Sequence, residues 1–420
     1  MLKLTPLKEI TILLLIKASL EISYIFYVYP KYQYMGFYLD ISVSKWVLSN
    51  FLLIFLFYTL RSTEKNFSSI LLKILLIVMI IPTLSLYGLK GESTLFLLFF
   101  VFSFALTSLI VRLPLISIWS ININIRYIYM LLGFLILIVF VNLLVFNGLP
   151  SLTAINLFDV YDVRKSVNYG LPLMGYLVPW LGKVINPFLI GMFLYKKEIR
   201  WSIFFLFLQI LLYLYTGHKS FLFSPLIIIS FIYFQRKGRV YLKLSTSILL
   251  VIIISLILAV YGMNTGATLF IRRTFFLTAQ NYYYYFDFFS HNEFVKLSHS
   301  IFEGLYTYPY SLLPPNLIGE AYYHNPEGWV NTGYLADAYM NFGFLGMIVF
   351  SLLFGFLLLI IDSIKTPLVL KVAALLIPMY ALRSGAFFTS LLTGGILLGI
   401  VITYLYSILE KKLLEKGDQE

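Results

Sequence analysis

The chain contains no cysteine and few charged residues. Only 12% of its residues are Asp, Glu, Lys or Arg, whereas soluble domains carry about 25%. The lack of cysteine excludes a disulfide framework and a thiolate metal site. With so few charges the chain cannot cover a soluble surface, and 60% of its residues are hydrophobic. The composition therefore predicts a polytopic membrane protein.

Several motifs are also missing. No phosphate-binding loop occurs, so ATP-driven transport is not expected. No Asp-x-Asp motif for a metal-bound nucleotide sugar is present, and the spacing of the four histidines does not resemble a metal site. We therefore expect neither a metal nor another cofactor. The net charge of +12 does not argue for a nucleic-acid partner, because loops that face the cytoplasm favour Lys and Arg.

Apolar segments dominate what is present. About 12 of them approach the roughly 20 residues that a membrane-spanning helix needs. They lie near 9–29, 44–60, 67–87, 95–112, 127–147, 172–195, 201–216, 219–234, 245–263, 332–361, 367–382 and 388–409. The pattern predicts an all-α transmembrane bundle that forms one integral membrane domain over residues 1–420.

Cation clusters predict the orientation of the bundle. Residues 196–200 and 236–243 are rich in Lys and Arg, and both clusters fall in the cytoplasm when both termini are cytoplasmic. Residues 264–331 then form a large extracytoplasmic loop and residues 148–171 a smaller one. All four histidines fall on this outer side, so the outer face carries the richer chemistry.

Five cations are candidates for binding a diphosphate. Arg272 and Arg273 open the large outer segment, and arginine offers a planar set of donors that matches phosphate geometry. Lys219 and Arg383 lie at predicted outer turns, and Lys183 lies halfway along a predicted span, where a charge usually faces a cavity or a partner. The alternatives are contacts with lipid phosphates for the arginine pair and ordinary polar turns for Lys219 and Arg383.

The aromatic block 282–289 is a candidate platform for sugar rings. Within this block, Tyr284 would stack its ring on a sugar ring, and Asp287 could accept hydrogen bonds from sugar hydroxyls. Trp329 and Tyr334 are further candidates for sugar contacts. Since Tyr and Trp gather at membrane interfaces for amphipathic reasons alone, an interfacial belt is the alternative.

Three residues are candidate proton acceptors: Asp337, Glu327 and His324. Asp337 is expected to share one helical face with Tyr334 and Asn341, three residues before it and four after it. The alternative is a polar helix entrance for Asp337 and a solvated loop position for His324.

A short surface helix is predicted over 292–305. Apolar residues recur there at helical spacing, at Phe294, Leu297, Ile301 and Leu305, as in helices that lie on a membrane.

The chain resembles the Wzy family of O-antigen and oligosaccharide repeat-unit polymerases. The similarity of architecture covers the whole chain, and the similar motifs are loose. They are Tyr215-Thr-Gly-His-Lys-Ser220, Arg272-Arg-Thr-Phe-Phe276 with the aromatic run to Phe289, and residues 331–346 at the entry into the next helix. One departure is the short loop 148–171, which holds Arg164 and Lys165, where some members have a second large outer loop.

The resemblance implies a metal-independent glycosyltransferase of GT-C-like architecture in the bacterial plasma (inner) membrane. Such an enzyme joins repeat units carried on undecaprenyl diphosphate into O-antigen, capsule or exopolysaccharide. Its partners would be the lipid-linked glycan donor and acceptor, the bilayer, and a chain-length regulator and flippase of the same pathway. The cations named above would bind the diphosphate.

Three rival readings remain open. One is a purely structural scaffold of a glycan-export complex, which would tolerate replacement of the outer arginines. A ligase of similar architecture would move finished glycan from the same carrier to another acceptor. A flippase or transporter for the lipid-linked unit would instead place charged residues along many helices and have short loops.

Overall fold

The computed structural model describes residues 4–60, 65–119, 121, 125–150, 152–155 and 160–417. All named regular elements in these residues are helices, which confirms the all-α class. Within them, eight helices are long and apolar enough to cross a membrane, so membrane character is supported. The apolar helices Val43–Thr59 and Thr94–Ile110 are shorter. The count of about 12 spans and the GT-C-like architecture stay predictions.

Each predicted apolar segment contains helix. The α-helices are α1 (Leu4–Ser23), α2 (Tyr29–Tyr32), α3 (Val43–Thr59), α4 (Phe67–Leu75), α5 (Ile81–Lys90), α6 (Thr94–Ile110), α7 (Ile125–Asn147), α8 (Val160–Ser166), α9 (Met174–Trp180), α10 (Asn186–Tyr195), α11 (Ile199–Thr216), α12 (Lys219–Arg236), α13 (Val240–Val260), α14 (Leu277–His291), α15 (Pro314–Tyr323), α16 (Tyr334–Ser363), α17 (Leu368–Tyr380), α18 (Phe387–Leu391) and α19 (Ile396–Gly417). Three-residue or four-residue 3₁₀ turns lie at Gln33–Met35, Leu152–Ile155 and Ala381–Arg383.

Proline explains three of the π-helical segments that interrupt the α-helices. These are Tyr24–Val28 before Pro30, Leu76–Ile80 before Pro82 and Leu181–Ile185 before Pro187. Proline has no N–H to donate and its ring clashes with the carbonyl four residues earlier, so the helix widens by a residue there. Neither the ten-residue π-helix Ala267–Phe276 nor the helix α14 that follows it contains a proline. Since π-helical turns often occur at functional sites, this exception directs attention to its residues.

The chain divides into two compact units. Unit 1 contains residues Met1–Pro114, Arg239–Leu359 and Leu382–Phe388, and unit 2 contains Leu115–Gly238, Ile360–Ala381 and Thr389–Glu420. Residues 1–3 and 418–420 lie outside the described residues, as do 151 and 156–159 of the predicted smaller loop. The side of the membrane on which the termini and loops lie stays a prediction.

In unit 1, α1 packs against α13 and α3 packs against α5. Lys17 and Glu21, four residues apart on α1, form a buried ion pair. The indole Nε1 of Trp46 donates a hydrogen bond of 3.1 Å to the same Glu21 carboxylate. A charge buried in an apolar bundle needs such partners, so this cluster ties α1 to α3.

In unit 2, α10 packs against α11 and α17. Buried Gln209 of α11 connects three elements through its side-chain nitrogen Nε2. That nitrogen lies 2.7 Å from the carbonyl oxygen of Gly182 and 3.0 Å from the Ser224 hydroxyl. The π-helical backbone around Gly182 is therefore held by a neighbouring helix.

The polar segment 264–331 is more ordered than a loop. It holds the π-helix Ala267–Phe276, α14 and α15. The surface helix predicted over 292–305 is wrong, because residues 293–305 form turns and irregular backbone. Consecutive positive φ angles at Lys296 and Leu297 (55° and 58°) interrupt a right-handed helix there.

Candidate functional site

Arg272 lies on the π-helix Ala267–Phe276 and is half-buried. Its guanidinium carbon lies 4.3 Å from the centre of the Tyr32 ring, and Nη1 lies 2.9 Å from the sulfur of Met35. Its Nε is buried and has no hydrogen-bond partner in the described part of the chain. An aromatic face and a sulfur atom hold the guanidinium without neutralising it, so its charge remains available to an anion.

Two more arginines meet the same helix. Arg273 is exposed, next in the chain to Arg272. Arg383 donates from Nη1 to the carbonyl oxygen of Thr274 at 2.9 Å and to the Thr278 hydroxyl at 3.2 Å. The structure thus brings Arg272, Arg273 and Arg383 to one short stretch of helix in unit 1, although Arg383 is more than 100 residues away in the chain.

Most of the aromatic block is core. Tyr282, Tyr283 and Tyr285 are almost fully buried. Their hydroxyls donate to the carbonyl oxygens of Arg383, Thr83 and Val330, respectively. These three rings therefore stabilise the fold and present no face to a ligand.

Tyr284 is the partly exposed tyrosine of the run. Its ring stacks on Tyr322 of α15 at 4.2 Å between centroids, with 10° between the planes. The Tyr322 hydroxyl donates to the Asp287 carboxylate at 2.6 Å. Burial, with smaller contributions from Tyr323 and Glu92, raises the pKa of Tyr284 above its usual range, so its hydroxyl stays protonated. Tyr284, Tyr322 and Asp287 form a single cluster, of which Tyr284 and Asp287 were predicted and Tyr322 was not.

A buried cation lies beside this cluster. Lys90 pairs with Glu92 at 3.0 Å, and its Nζ lies 4.6 Å from the centre of the Tyr38 ring and 5.5 Å from that of Tyr284. Gly36 lies against the same tyrosine, since a Cβ atom there would come within 2.0 Å of the Tyr284 hydroxyl oxygen. Sequence patterns did not single out Lys90, because it ends an apolar helix as an ordinary interfacial lysine would.

Asp337 is buried, with 1% of its surface exposed. Its Oδ2 accepts the backbone N–H of Phe387 at 2.8 Å, and its Oδ1 accepts Nδ2 of Asn341 at 3.2 Å. The Asn341 side-chain oxygen accepts the N–H of Leu297 at 2.7 Å. The predicted common face of Asp337 and Asn341 is confirmed. Through these hydrogen bonds Asp337 and Asn341 connect α16 to the backbone at Phe387 and at Leu297, which is a structural role. Tyr334 is also fully buried and packs 5.1 Å from the ring of Phe354.

The other predicted proton acceptors are accessible. His324 caps the C-terminus of α15 with a φ of 52°, and both His324 and Glu327 are exposed. Trp329 is 65% exposed. The hydroxyl of Tyr323, the residue before His324, lies 2.8 Å from Oδ1 of Asn281 on α14. His324 is thereby attached to the helix that carries Tyr284 and Asp287.

Unit 2 carries a separate group of cations. Burial, together with the charges of Arg164 and Lys183, lowers the pKa of His218 from 6.5 to about 4. Arg164 donates from Nε to the carbonyl oxygen of Gly217 at 3.0 Å, and the half-buried Lys219 follows His218 in the chain. Two of the predicted diphosphate ligands, Lys183 and Lys219, thus belong to this unit, which has its own positive region.

Asn186 follows Lys183 by three residues and is fully buried. Neither its side-chain oxygen nor its nitrogen has a hydrogen-bond partner among the described residues. Among those residues, no group of three or more His, Asp or Glu side chains is arranged to hold a metal ion.

Comparisons with family models, with curated proteins and with solved structures find no match for this chain.

Proposed function

We propose that this chain is a membrane glycosyltransferase that joins oligosaccharide units carried on undecaprenyl diphosphate into a bacterial surface polysaccharide. The reaction takes place on the outer face of the plasma membrane. The observation that carries the proposal is the convergence of Arg272, Arg273 and Arg383 on one π-helical stretch beside a tyrosine cluster. Such a combination suits a ligand with an anionic end and a sugar end.

The arginines act on the leaving group. The bond between the anomeric carbon of the donor glycan and its diphosphate oxygen breaks, and the diphosphate leaves with the electron pair. Guanidinium groups placed beforehand stabilise the charge that develops on that oxygen. Arg272 is suited to this role because neither of its described side-chain contacts is with a carboxylate.

The acceptor hydroxyl forms the new glycosidic bond and gives its proton to a base. The three candidates remain Asp337, Glu327 and His324. The geometry favours the two exposed residues, His324 and Glu327, because the oxygens of Asp337 already accept hydrogen bonds inside the protein. A base must come within hydrogen-bond reach of the proton that it removes.

The test uses a strain that lacks the gene and carries single variants, with its surface polysaccharide followed on a gel. We expect Arg272→Ala to abolish long chains and Arg272→Lys to retain part of them, because lysine keeps the charge without the planar donors. Arg273→Ala is expected to shorten chains. Arg236→Ala, an exposed arginine of unit 2, is the matched control and should leave the ladder unchanged.

Normal ladders in both Arg272→Ala and Arg273→Ala would refute the assignment. The product that accumulates in the deletion strain separates the rival functions. A single repeat unit that reaches its final acceptor supports a polymerase, whereas unattached long chains indicate a ligase. Lipid-linked units retained on the cytoplasmic face indicate a flippase.

A further inference from the structure

A break in α16 fixes the irregular segment that follows α14. Phe342 and Gly343 depart from helical geometry, with Gly343 at φ 62° and ψ −151°. The break frees the carbonyl oxygens of Met340 and Asn341 from the helix. They accept the backbone N–H groups of Val295 at 2.9 Å and Lys296 at 3.3 Å instead. The segment 295–297 is therefore hydrogen-bonded to α16 next to this break.

The same contacts hold a strained backbone. Lys296 and Leu297 both adopt positive φ angles of 55° and 58°, which cost free energy for residues with a Cβ atom. The bond from the Leu297 N–H to the Asn341 side chain, 2.7 Å long, compensates for part of that cost. Strain of this kind persists only where the surrounding structure enforces it. The orientation of the next residues is thus imposed by α16.

Those next residues line an open cleft of about 450 Å³ in unit 1. Such a volume lies within the range of small-ligand sites, about 300–1,000 Å³. The side chains that give the cleft its chemistry are Ser298, His299, Glu303, Tyr306, Thr307 and Tyr308. No Lys or Arg lines it, so it differs in charge from the arginine-rich helix described above.

The lining suits an uncharged ligand with many hydroxyl groups. Ser298 donates its hydroxyl proton to the carbonyl oxygen of Val295 at 2.6 Å, and Tyr308 donates to that of Leu312 at 2.5 Å. Both hydroxyl oxygens can still accept a hydrogen bond from a ligand. A phosphate would be repelled by the Glu303 carboxylate and would find no cation among the lining residues.

His299 lines the cleft and is half-buried. Its ring centroid lies 6.1 Å from that of Tyr308, and its Nδ1 is buried without a hydrogen-bond partner among the described residues. Burial lowers the pKa of His299 below 6.5, so the ring is neutral at pH 7 and has one acceptor nitrogen. Protein atoms shield Nδ1 from the cleft, so the ring nitrogen that a ligand can reach is Nε2, which in the neutral ring donates or accepts one hydrogen bond.

We propose that this cleft binds an uncharged saccharide, with His299 hydrogen-bonded to a sugar hydroxyl and the exposed ring of Tyr306 against the sugar face. That the saccharide belongs to the acceptor glycan rests on the function proposed above. In this assignment the sugar binds next to the break in α16, whereas the diphosphate binds at Arg272.

The experiment measures binding of methyl glycosides to the purified full-length protein in lipid nanodiscs, by saturation-transfer NMR. The panel contains methyl glucoside, methyl galactoside, methyl N-acetylglucosaminide and, as the anionic member, methyl glucuronide. We expect at least one uncharged glycoside to bind and the glucuronide to bind at least fivefold more weakly. Tyr306→Ala and His299→Phe should each weaken the uncharged glycoside about fivefold, a change of about 1 kcal/mol.

Tyr261→Ala is the matched control, because Tyr261 is an exposed tyrosine of unit 1 outside the cleft lining. It should bind as the wild type does. The proposal is overturned if no uncharged glycoside binds, or if Tyr306→Ala binds as tightly as the control. Tyr306 is 52% exposed, so its replacement should leave the fold intact even where His299→Phe does not fold.

This assay contains no lipid-linked donor, so its outcome is independent of polymerisation. Arg272→Ala, which tests the proposed function, should bind glycosides normally. A failure of the glycoside assay therefore refutes the saccharide cleft alone. Normal ladders in the arginine variants refute the proposed function alone.

Discussion

Replacing Asp337 should act mainly on the stability of the protein and not directly on catalysis. In Asp337→Ala the buried N–H of Phe387 loses its acceptor, which costs about 1–3 kcal/mol. Asn341 loses less, because its Nδ2 still lies 2.8 Å from the backbone carbonyl oxygen of residue 337. Removing the carboxylate also removes the cost of burying it, so we expect a net loss of about 1–2 kcal/mol.

Asp337→Asn should lose less stability than Asp337→Ala. Its side-chain oxygen can still accept from Phe387, although its amide would then face the amide of Asn341. A general base replaced in this way would instead lower the rate about 10²–10⁴-fold without loss of stability. The two roles therefore predict different outcomes for Asp337→Asn: a structural Asp337 leaves the variant partly active with a small loss of stability, whereas a catalytic base leaves it stable and inactive.

The assay pairs thermal unfolding of the purified variants with polymer length in cells, normalised to the amount of protein in the membrane. Glu327→Gln is the comparison, since Glu327 is exposed and its replacement should not alter the unfolding midpoint. Wild-type midpoints for both Asp337 variants, together with loss of long chains, would show that the carboxylate acts in catalysis and that the structural argument is wrong.

Two further predictions concern titration and orientation. Since the pKa of His218 is about 4 in the folded chain and 6.5 when unperturbed, the unfolded chain binds the proton more readily between these values. The contribution of this residue to stability should therefore fall as the pH drops from 7 to 4, by at most about 3 kcal/mol. His218→Gln should show a shallower fall in its unfolding midpoint than the wild type, and parallel pH curves would contradict this. Because the chain has no cysteine, single cysteines at the exposed positions Trp329 and Lys237 can report topology. An impermeant maleimide should label intact cells only at position 329, and labelling at position 237 alone would reverse the predicted orientation.

The predicted surface helix at 292–305 illustrates where sequence patterns mislead. The apolar residues do recur at helical spacing, but Val295 and Leu297 are buried by long-range contacts instead of by a membrane surface. Hydrogen bonds to the broken α16 outweigh the local preference. A break at Phe342–Gly343 has no signal in the sequence beyond a single glycine.

The sequence alone determined the membrane class, the all-α fold and the positions of the apolar helices, because a helix satisfies its backbone within one continuous segment. It also indicated the Arg272–Arg273 pair and the Tyr284–Asp287 pair, whose members are close neighbours in the chain. Only the tertiary structure decided that Asp337 is buried and accepts the N–H of Phe387. It also decided that His299 lines a cleft. Burial and pairing of these groups depend on residues that the chain brings together from distant segments, and no local pattern encodes such distances.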